Sequence, residues 1–92
     1  MKTAAHTYKI EGKLKDKGFG FLCMQLANEN GITGTLFYES GSKAIIEING
    51  KSESIDIMLN ECRQEDYITK IEILNTTFTD VTINDFIILN QI

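Results

Sequence analysis

The sequence predicts an α+β fold in which two helices pack on one face of an antiparallel sheet. Segments with strictly alternating apolar and polar residues indicate half-buried strands, and segments with apolar residues three and four apart indicate amphipathic helices. These segments follow one another as strand, helix, strand, strand, helix and strand, with a short apolar strand at the end. This order is that of the ferredoxin-like split βαβ sandwich.

The first strand is predicted over residues 6–14, where apolar and polar residues alternate. One face of this strand carries Tyr8, Ile10, Gly12 and Leu14. Polar and charged residues occupy the positions between them, so we expect that face to cover a core while the other meets solvent.

A helix is predicted to follow directly from a glycine-containing loop. Its apolar positions, spaced by three and four, are Phe19, Leu22, Cys23, Leu26 and Ala27. Gly31 follows the last of them and is expected to end the helix in the left-handed conformation. The first-turn N–H groups of such a helix have no partner within it and carry partial positive charge, so the loop is a candidate anion site.

Residues 34–39 and 43–49 are predicted to form an antiparallel hairpin. Both segments are rich in β-branched and aromatic residues, and Ser40-Gly41-Ser42 between them is a short turn signal. Ser52, a residue type favoured at helix N-termini, then precedes a second amphipathic segment. Its apolar stripe consists of Ile55, Met58, Leu59 and Cys62.

The C-terminal third resumes the alternating pattern. Residues 68–75 are predicted to form the fourth strand, with Ile71 and Ile73 on one face. Residues 76–84 are polar and rich in threonine, so they are predicted to form a loop or an irregular extension. Residues 86–89 are apolar and are predicted to close the domain as a short strand.

Composition limits the classes of partner. The length of 92 residues predicts one domain over residues 1–92 and a single site at most. Thirteen acidic and nine basic residues give a net charge of −4, which disfavours attraction to nucleic acid or to an anionic membrane. No apolar run approaches the roughly 18 residues needed to span a bilayer, and we expect a cytoplasmic monomer without a cofactor.

Cys23 and Cys62 are the only cysteines, and each lies on the apolar stripe of a predicted helix. A reduced thiol in that position behaves as a small apolar side chain, and we expect both to be buried. A disulfide, a metal pair or a nucleophile are the alternatives. Two cysteines without clustered histidines are not a metal signature, so no metal site is predicted.

The stretch from the first strand to the second resembles acylphosphatases. That family carries Gly-Arg-Val-Gln-Gly-Val-Gly-Phe-Arg at the end of its first strand, then a helix, then Gly-Leu-Thr-Gly-Trp-Val-Arg-Asn. In this sequence Gly12, Gly18 and Phe19 fall on the loop's Gly, Gly and Phe, and Gly31-Ile32-Thr33-Gly34 falls on Gly-Leu-Thr-Gly. The resemblance implies the split βαβ fold and the hydrolysis of carboxyl-phosphate anhydrides without a metal.

Both catalytic positions of the family are replaced. The resemblance implies an arginine that binds phosphate where this chain has Gly20, and a water-positioning asparagine where it has Tyr38. Asp16 also replaces the loop's middle glycine, at a place where the family receives a phosphate. Losing one preorganised donor costs about a hundredfold to a thousandfold in rate, so an inactive or strongly impaired homologue is predicted. Tyr38 is expected to fill the space that Gly20 leaves.

Two functions of the loop stay open in the sequence. The first is an anion-binding loop that retains a small anionic ligand or serves a protein partner, formed by Lys15, Asp16, Lys17, Gly18, Phe19 and Gly20. The second is a functional acylphosphatase that works through the loop amides, with Lys13, Lys15 or Lys17 in place of the arginine. Asp16 is either a helix cap or a functional carboxylate.

Other interpretations rest on shorter signals. Residues 17–21, Lys-Gly-Phe-Gly-Phe, resemble the RNA-binding box of cold-shock domains, but the helix downstream, the absence of Trp and the acidic charge argue against nucleic-acid binding. His6 is predicted to be a surface strand residue. Strand edges at 43–49 and the segment 76–84 are candidate places for another chain to add to the sheet.

Overall fold

A computed structural model describes residues 3–79 and 85–90 of the chain. Within these ranges the elements follow in the order β1 (Thr3–Gly12), α1 (Phe19–Asn30), β2 (Thr33–Ser40), β3 (Lys43–Asn49), α2 (Ser52–Arg63), β4 (Ile68–Thr79) and β5 (Phe86–Asn90). The strands form one sheet in the order β4-β1-β3-β2-β5. The predicted βαββαβ arrangement with an additional C-terminal strand is confirmed.

The sheet is mixed rather than wholly antiparallel. β1 pairs antiparallel with β3 and β4, and β2 pairs antiparallel with β3. β5, in contrast, lies parallel to β2. These pairings make β4 run in the same direction as β3, so a strand that reverses direction after β4 runs in the direction of β2. The prediction of an antiparallel sheet is therefore wrong for β5 alone.

One core joins the helices to alternate residues of the strands. The strands contribute buried side chains that share the helix-facing side, among them Tyr8, Ile10, Leu36, Ile46 and Ile48. The helices contribute Phe19, Cys23, Leu26, Ala27, Ile55, Met58, Leu59 and Cys62. The stripes predicted from the sequence are thus buried, except that Leu22 is half-buried beside the core. Cys23 and Cys62 are buried and free, as expected of reduced thiols in a core.

The helix boundaries follow local signals. Gly31 caps α1 with φ of 66° and its N–H donates to the Ala27 carbonyl, as predicted. Ser52 is the first residue of α2, but the N-cap position itself belongs to Lys51, which makes no side-chain capping bond. Glu53 in the first turn and Arg63 in the last complement the helix dipole instead.

β4 is longer than predicted. The strand continues to Thr79 where the sequence indicated a polar loop from residue 76, because the long β1 offers backbone partners from His6 back to Thr3. The rest of the predicted loop, residues 80–84, lies outside the described residues. Ile73, predicted to share one face of the strand with Ile71, is exposed, since β4 lies at the edge of the sheet where the helices give little cover.

The segment 43–49, considered as a free strand edge, is the central strand β3. Its backbone is paired with β1 on one side and with β2 on the other. The prediction of an open edge there is wrong, and the two edges of the described sheet are β4 and β5. In the described ranges, neither helix has the length and apolar character that crossing a bilayer requires.

Candidate functional site

The loop between β1 and α1 is held at both of its ends by buried side chains. Leu14 and Phe19 are both fully buried, and the Phe19 N–H donates to the Leu14 carbonyl at 3.0 Å. Between them Lys15, Asp16 and Lys17 are exposed. The loop therefore projects into solvent between two buried residues, the second of which is the first residue of the helix.

Most amides of the predicted anion loop already donate within the protein. The Lys15 N–H donates to the Gly41 carbonyl at 3.1 Å, and the Gly18 N–H to the Lys15 carbonyl at 3.3 Å. The Phe19 N–H donates to the Leu14 carbonyl. The Gly20 N–H donates to the Tyr38 hydroxyl oxygen at 2.7 Å, in a buried position. An anion at this loop would have to displace these acceptors or use the remaining amides.

Tyr38 and Gly20 fit each other closely. The Tyr38 side chain comes from β2, is 7% exposed and brings its hydroxyl to the backbone at Gly20. A Cβ placed on Gly20 would lie 2.9 Å from that hydroxyl and 2.8 Å from Cδ1 of Ile88 on β5. At such distances the Tyr38 hydroxyl and the Ile88 methyl group would have to shift before a residue larger than glycine could occupy position 20.

The environment keeps the Tyr38 phenol neutral. Burial raises the pKa of Tyr38 above its usual value of about 10, and the hydrogen bond from the Gly20 amide offsets part of that rise. A neutral hydroxyl accepting an N–H bond is therefore the state present across the physiological pH range. The resemblance implied a water-positioning residue at position 38, but the approach of Ile88 to Gly20 could not be predicted from the sequence.

The three lysines of the loop lie on different sides of it. Lys13 and Lys17 line a pocket of about 310 Å³ together with Asp66, Tyr67 and Thr69. That pocket borders β4, whereas Gly20 contacts β5, at the opposite edge of the sheet. The Cβ of Lys15 lies beside Gly41 in the β2–β3 turn. The lysines are thus distributed around the loop and do not converge above Gly20.

Asp16 does not cap α1. The N-cap residue is Gly18, and no side chain makes a capping bond there. Of the two sequence-based roles for Asp16, helix capping is therefore wrong, and its carboxylate is exposed to solvent. An exposed carboxylate beside the loop lowers the attraction of this surface for a multiply charged anion.

The remaining candidate residues take structural positions. His6 is half-buried on β1, with Nδ1 at 3.2 Å from Thr76 Oγ1 and its ring stacked on Tyr8. Burial raises the pKa of the Cys23 thiol, which disfavours a reactive thiolate. Among residues 3–79 and 85–90, no group of three or more His, Cys, Asp or Glu residues is placed to hold a metal ion.

Replacing Tyr38 with phenylalanine is expected to lower the free energy of unfolding by about 1–3 kcal/mol, because the buried Gly20 N–H loses its acceptor. Urea unfolding measures this change, and hydrogen exchange at the Gly20 amide should become faster. Tyr8→Phe is the matched control, since Tyr8 is also a buried β-strand tyrosine but accepts no bond from a loop amide in the described structure. Equal costs for the two variants would contradict the role assigned to the bond.

Comparisons with known proteins agree with the fold. The family model for acylphosphatase matches residues 6–88, and the chain belongs to the acylphosphatase family. The acylphosphatase from Bacillus subtilis superposes with a TM-score of 0.76 at 13% identity, over 95% of this chain and 99% of that one. A comparison with curated protein sequences finds no significant match.

Two larger proteins contain a similar fold. Full-length HypF, solved in its phosphate- and nucleotide-bound form, matches with a TM-score of 0.75 at 21% identity, over 98% of this chain and 12% of its own length. A bacterial light-regulated adenylyl cyclase matches with a TM-score of 0.69 at 22% identity, over 99% of this chain and 29% of its own. At such identities these likenesses concern the fold alone.

Proposed function

We propose that this member of the acylphosphatase family does not hydrolyse acyl phosphates and acts as a binding domain. The observation that carries the proposal is the bond from the buried Gly20 N–H to the Tyr38 hydroxyl. These are the two positions at which the family resemblance implies the phosphate-binding arginine and the water-positioning asparagine. In this chain the two residues contact each other instead.

The chemistry of acyl-phosphate hydrolysis explains why this contact matters. The reaction needs donors that balance charge on the phosphoryl oxygens and a group that holds water in line with phosphorus. Gly20 has no side chain to donate, and its amide is already satisfied by the tyrosine. The Tyr38 hydroxyl and the Ile88 side chain also lie in the space beside Gly20, so a water held there would compete with them.

A lysine surrogate for the arginine has little support from the geometry. Lys13 and Lys17 line the pocket on the β4 side, and Lys15 lies at the β2–β3 turn. To act above Gly20, any of these side chains would have to leave its position and approach a surface closed by Tyr38 and Ile88. We therefore expect no catalytic contribution from them.

Hydrolysis of benzoyl phosphate tests the proposal. The natural protein is expected to show no rate above that of buffer. The variant combining Gly20→Arg, Tyr38→Asn and Ile88→Ala restores the donor and the water-holding amide, and it removes the two atoms that obstruct position 20. Its matched control carries Tyr38→Asn and Ile88→Ala without the arginine, and we expect the arginine to raise the rate by about a hundredfold.

Turnover by the natural protein would contradict the proposal. If that turnover were lost in Lys17→Met or Lys15→Met, the surrogate mechanism would replace it. Circular dichroism of every variant, recorded before the assay, identifies a chain that has failed to fold, so that absence of activity is assigned only to folded protein.

A further inference from the structure

The two edges of the sheet differ in chemical character. The β4 edge carries Lys70 and Glu72, which form an ion pair at 3.3 Å along the strand. Charged side chains on an edge discourage pairing with other strands. The β5 edge, in contrast, presents four consecutive apolar residues from Phe86 to Leu89 and no charge among them. In the described part of the chain, no strand covers the outer side of β5.

A groove runs between this edge and the first helix. Its volume is about 360 Å³, and it is lined by Met24, Asn28, Asp85, Phe86, Ile87 and Ile88. The helix α1 forms one wall and β5 the other, so the groove lies beside the edge of β5 that pairs with no strand among the described residues. This is the combination that strand-adding recognition sites use, in which backbone bonds supply affinity and an adjacent groove receives alternate side chains.

The other face of β5 is also apolar. Ile87 is 48% exposed there, and Phe37 on the adjacent strand β2 is 45% exposed. Because side chains of an added strand alternate between the two faces of the sheet, one set would enter the groove and the next would lie against Ile87. A ligand with small β-branched residues on both faces therefore suits this edge.

We propose that the outer edge of β5, along residues 86–88, binds an extended basic peptide segment of a partner protein as an additional strand. This inference rests on the proposed binding role and names its surface. The regular pairing of β5 with β2 covers these three residues, with Gly34 opposite Phe86 and Leu36 opposite Ile88, and it becomes irregular at Leu89. The added strand would extend the sheet from this regular portion.

Charge favours a basic partner over a second copy of the chain. Asp85 is the charged residue among the six that line the groove, and its side chain is exposed. The whole chain carries a net charge of −4, so two copies repel each other while a lysine-containing or arginine-containing segment is attracted. Asp85 lies directly before β5 and can pair with a cation at one end of the bound strand.

Fluorescence anisotropy with labelled peptides tests the inference. The first probe is Lys-Val-Thr-Val-Thr-Val. The second has Glu in place of Lys, and the third has Pro in place of the first Thr. The lysine peptide is expected to bind about threefold to fivefold more tightly than the glutamate peptide, the range of an exposed ion pair. The proline peptide should lose at least about tenfold, because it lacks one N–H for the ladder.

Two matched variants locate the site on the protein. Ile87→Lys places a charge on the β5 edge and is expected to abolish binding of the lysine peptide. Ile73→Lys places the same charge at an exposed apolar position on the β4 edge, where Ile73 is 60% exposed, and binding should be unchanged. Asp85→Asn should remove the preference for the lysine peptide over the glutamate peptide while binding persists.

Several results would overturn the inference. The first is that the lysine peptide does not bind at concentrations up to about 1 mM. The second is that the Ile73→Lys and Ile87→Lys variants lose peptide affinity equally. The third is that the proline peptide binds as tightly as the lysine peptide. Sedimentation showing a dimer that Ile87→Lys dissociates would assign the edge to a second copy instead. Hydrolysis of benzoyl phosphate is measured separately. If the protein neither binds the peptide nor hydrolyses benzoyl phosphate, only the proposed surface is contradicted. If it hydrolyses benzoyl phosphate, the proposed function is contradicted.

Discussion

Replacing Gly34 with alanine is expected to lower the free energy of unfolding by about 3–5 kcal/mol, or to prevent folding. Gly34 has φ of 148°, a backbone conformation that L side chains rarely adopt. A Cβ at this position would overlap the backbone carbonyl of Glu47 on the neighbouring strand β3. Since Gly34 lies opposite Ile48 in the β2–β3 ladder, relief of the overlap requires β2 to separate from the central strand β3.

Gly31→Ala is the matched control for this prediction. Gly31 belongs to the same Gly-Ile-Thr-Gly segment and has φ of 66°, but a Cβ there would meet no atom within 4 Å. The free energy of unfolding should fall only by the strain of an alanine in the left-handed backbone conformation, about 1–2 kcal/mol. Urea unfolding of both variants separates the two causes, and an equal loss of stability would show that contact with β3 is not what requires glycine at position 34.

Replacing Phe19 with alanine is expected to cost about 3–5 kcal/mol. Phe19 is fully buried, and it is both the first residue of α1 and the end of the loop that carries the candidate site. Its loss leaves a cavity beneath the loop and releases the anchor that opposes Leu14. We expect the Gly20 amide to lose protection from hydrogen exchange as well, because its position beside Tyr38 depends on this anchor.

Phe21→Ala provides the comparison, since the two phenylalanines lie two positions apart on the same helix. Phe21 is 74% exposed, so its truncation should change the free energy of unfolding by no more than about 0.5 kcal/mol. Thermal and urea unfolding of the pair measure the difference. A large cost at Phe21 would mean that this ring also stabilises the turn, and the burial of Phe19 would then not explain the difference between the two positions.

The elements of the fold could be predicted where their signals are local. Apolar spacing identified the buried stripe of α1, and Gly31 identified its end, because both depend on residues within a few positions of each other. The β2–β3 hairpin was predicted for the same reason, from two strand segments and a three-residue turn signal. Such patterns predict helices and strands because residues close together in the sequence determine the local backbone geometry.

Sheet topology required information that local patterns do not contain. The segment 43–49 has the same strand pattern whether it lies at an edge or at the centre, and only pairing with β1 places it at the centre. The polar segment at residues 76–79 becomes part of β4 because β1 is long enough to pair with it. Threonine favours strands once a backbone partner is available, which a sequence pattern alone cannot reveal.

The candidate site was predicted in part. The family resemblance implied that Gly20 and Tyr38 stand at catalytic positions, and in the structure one hydrogen bond joins these two residues. The contact of Ile88 with the same position was not foreseen, since β5 is about seventy residues away in sequence and joins the site only through its parallel pairing with β2. The hydrogen bonds from the loop amides to the Gly41 and Leu14 carbonyls could not be predicted either, because they depend on the folded backbone.

The close fit of Gly20, Tyr38 and Ile88 also limits which mutational routes are open to this chain. A larger residue introduced first at position 20 meets the tyrosine hydroxyl and the isoleucine methyl group. A smaller residue introduced first at position 38 leaves a buried N–H without its acceptor. Each first step is therefore expected to destabilise the protein before the second can compensate, so an arginine at position 20 requires coordinated changes at positions 38 and 88.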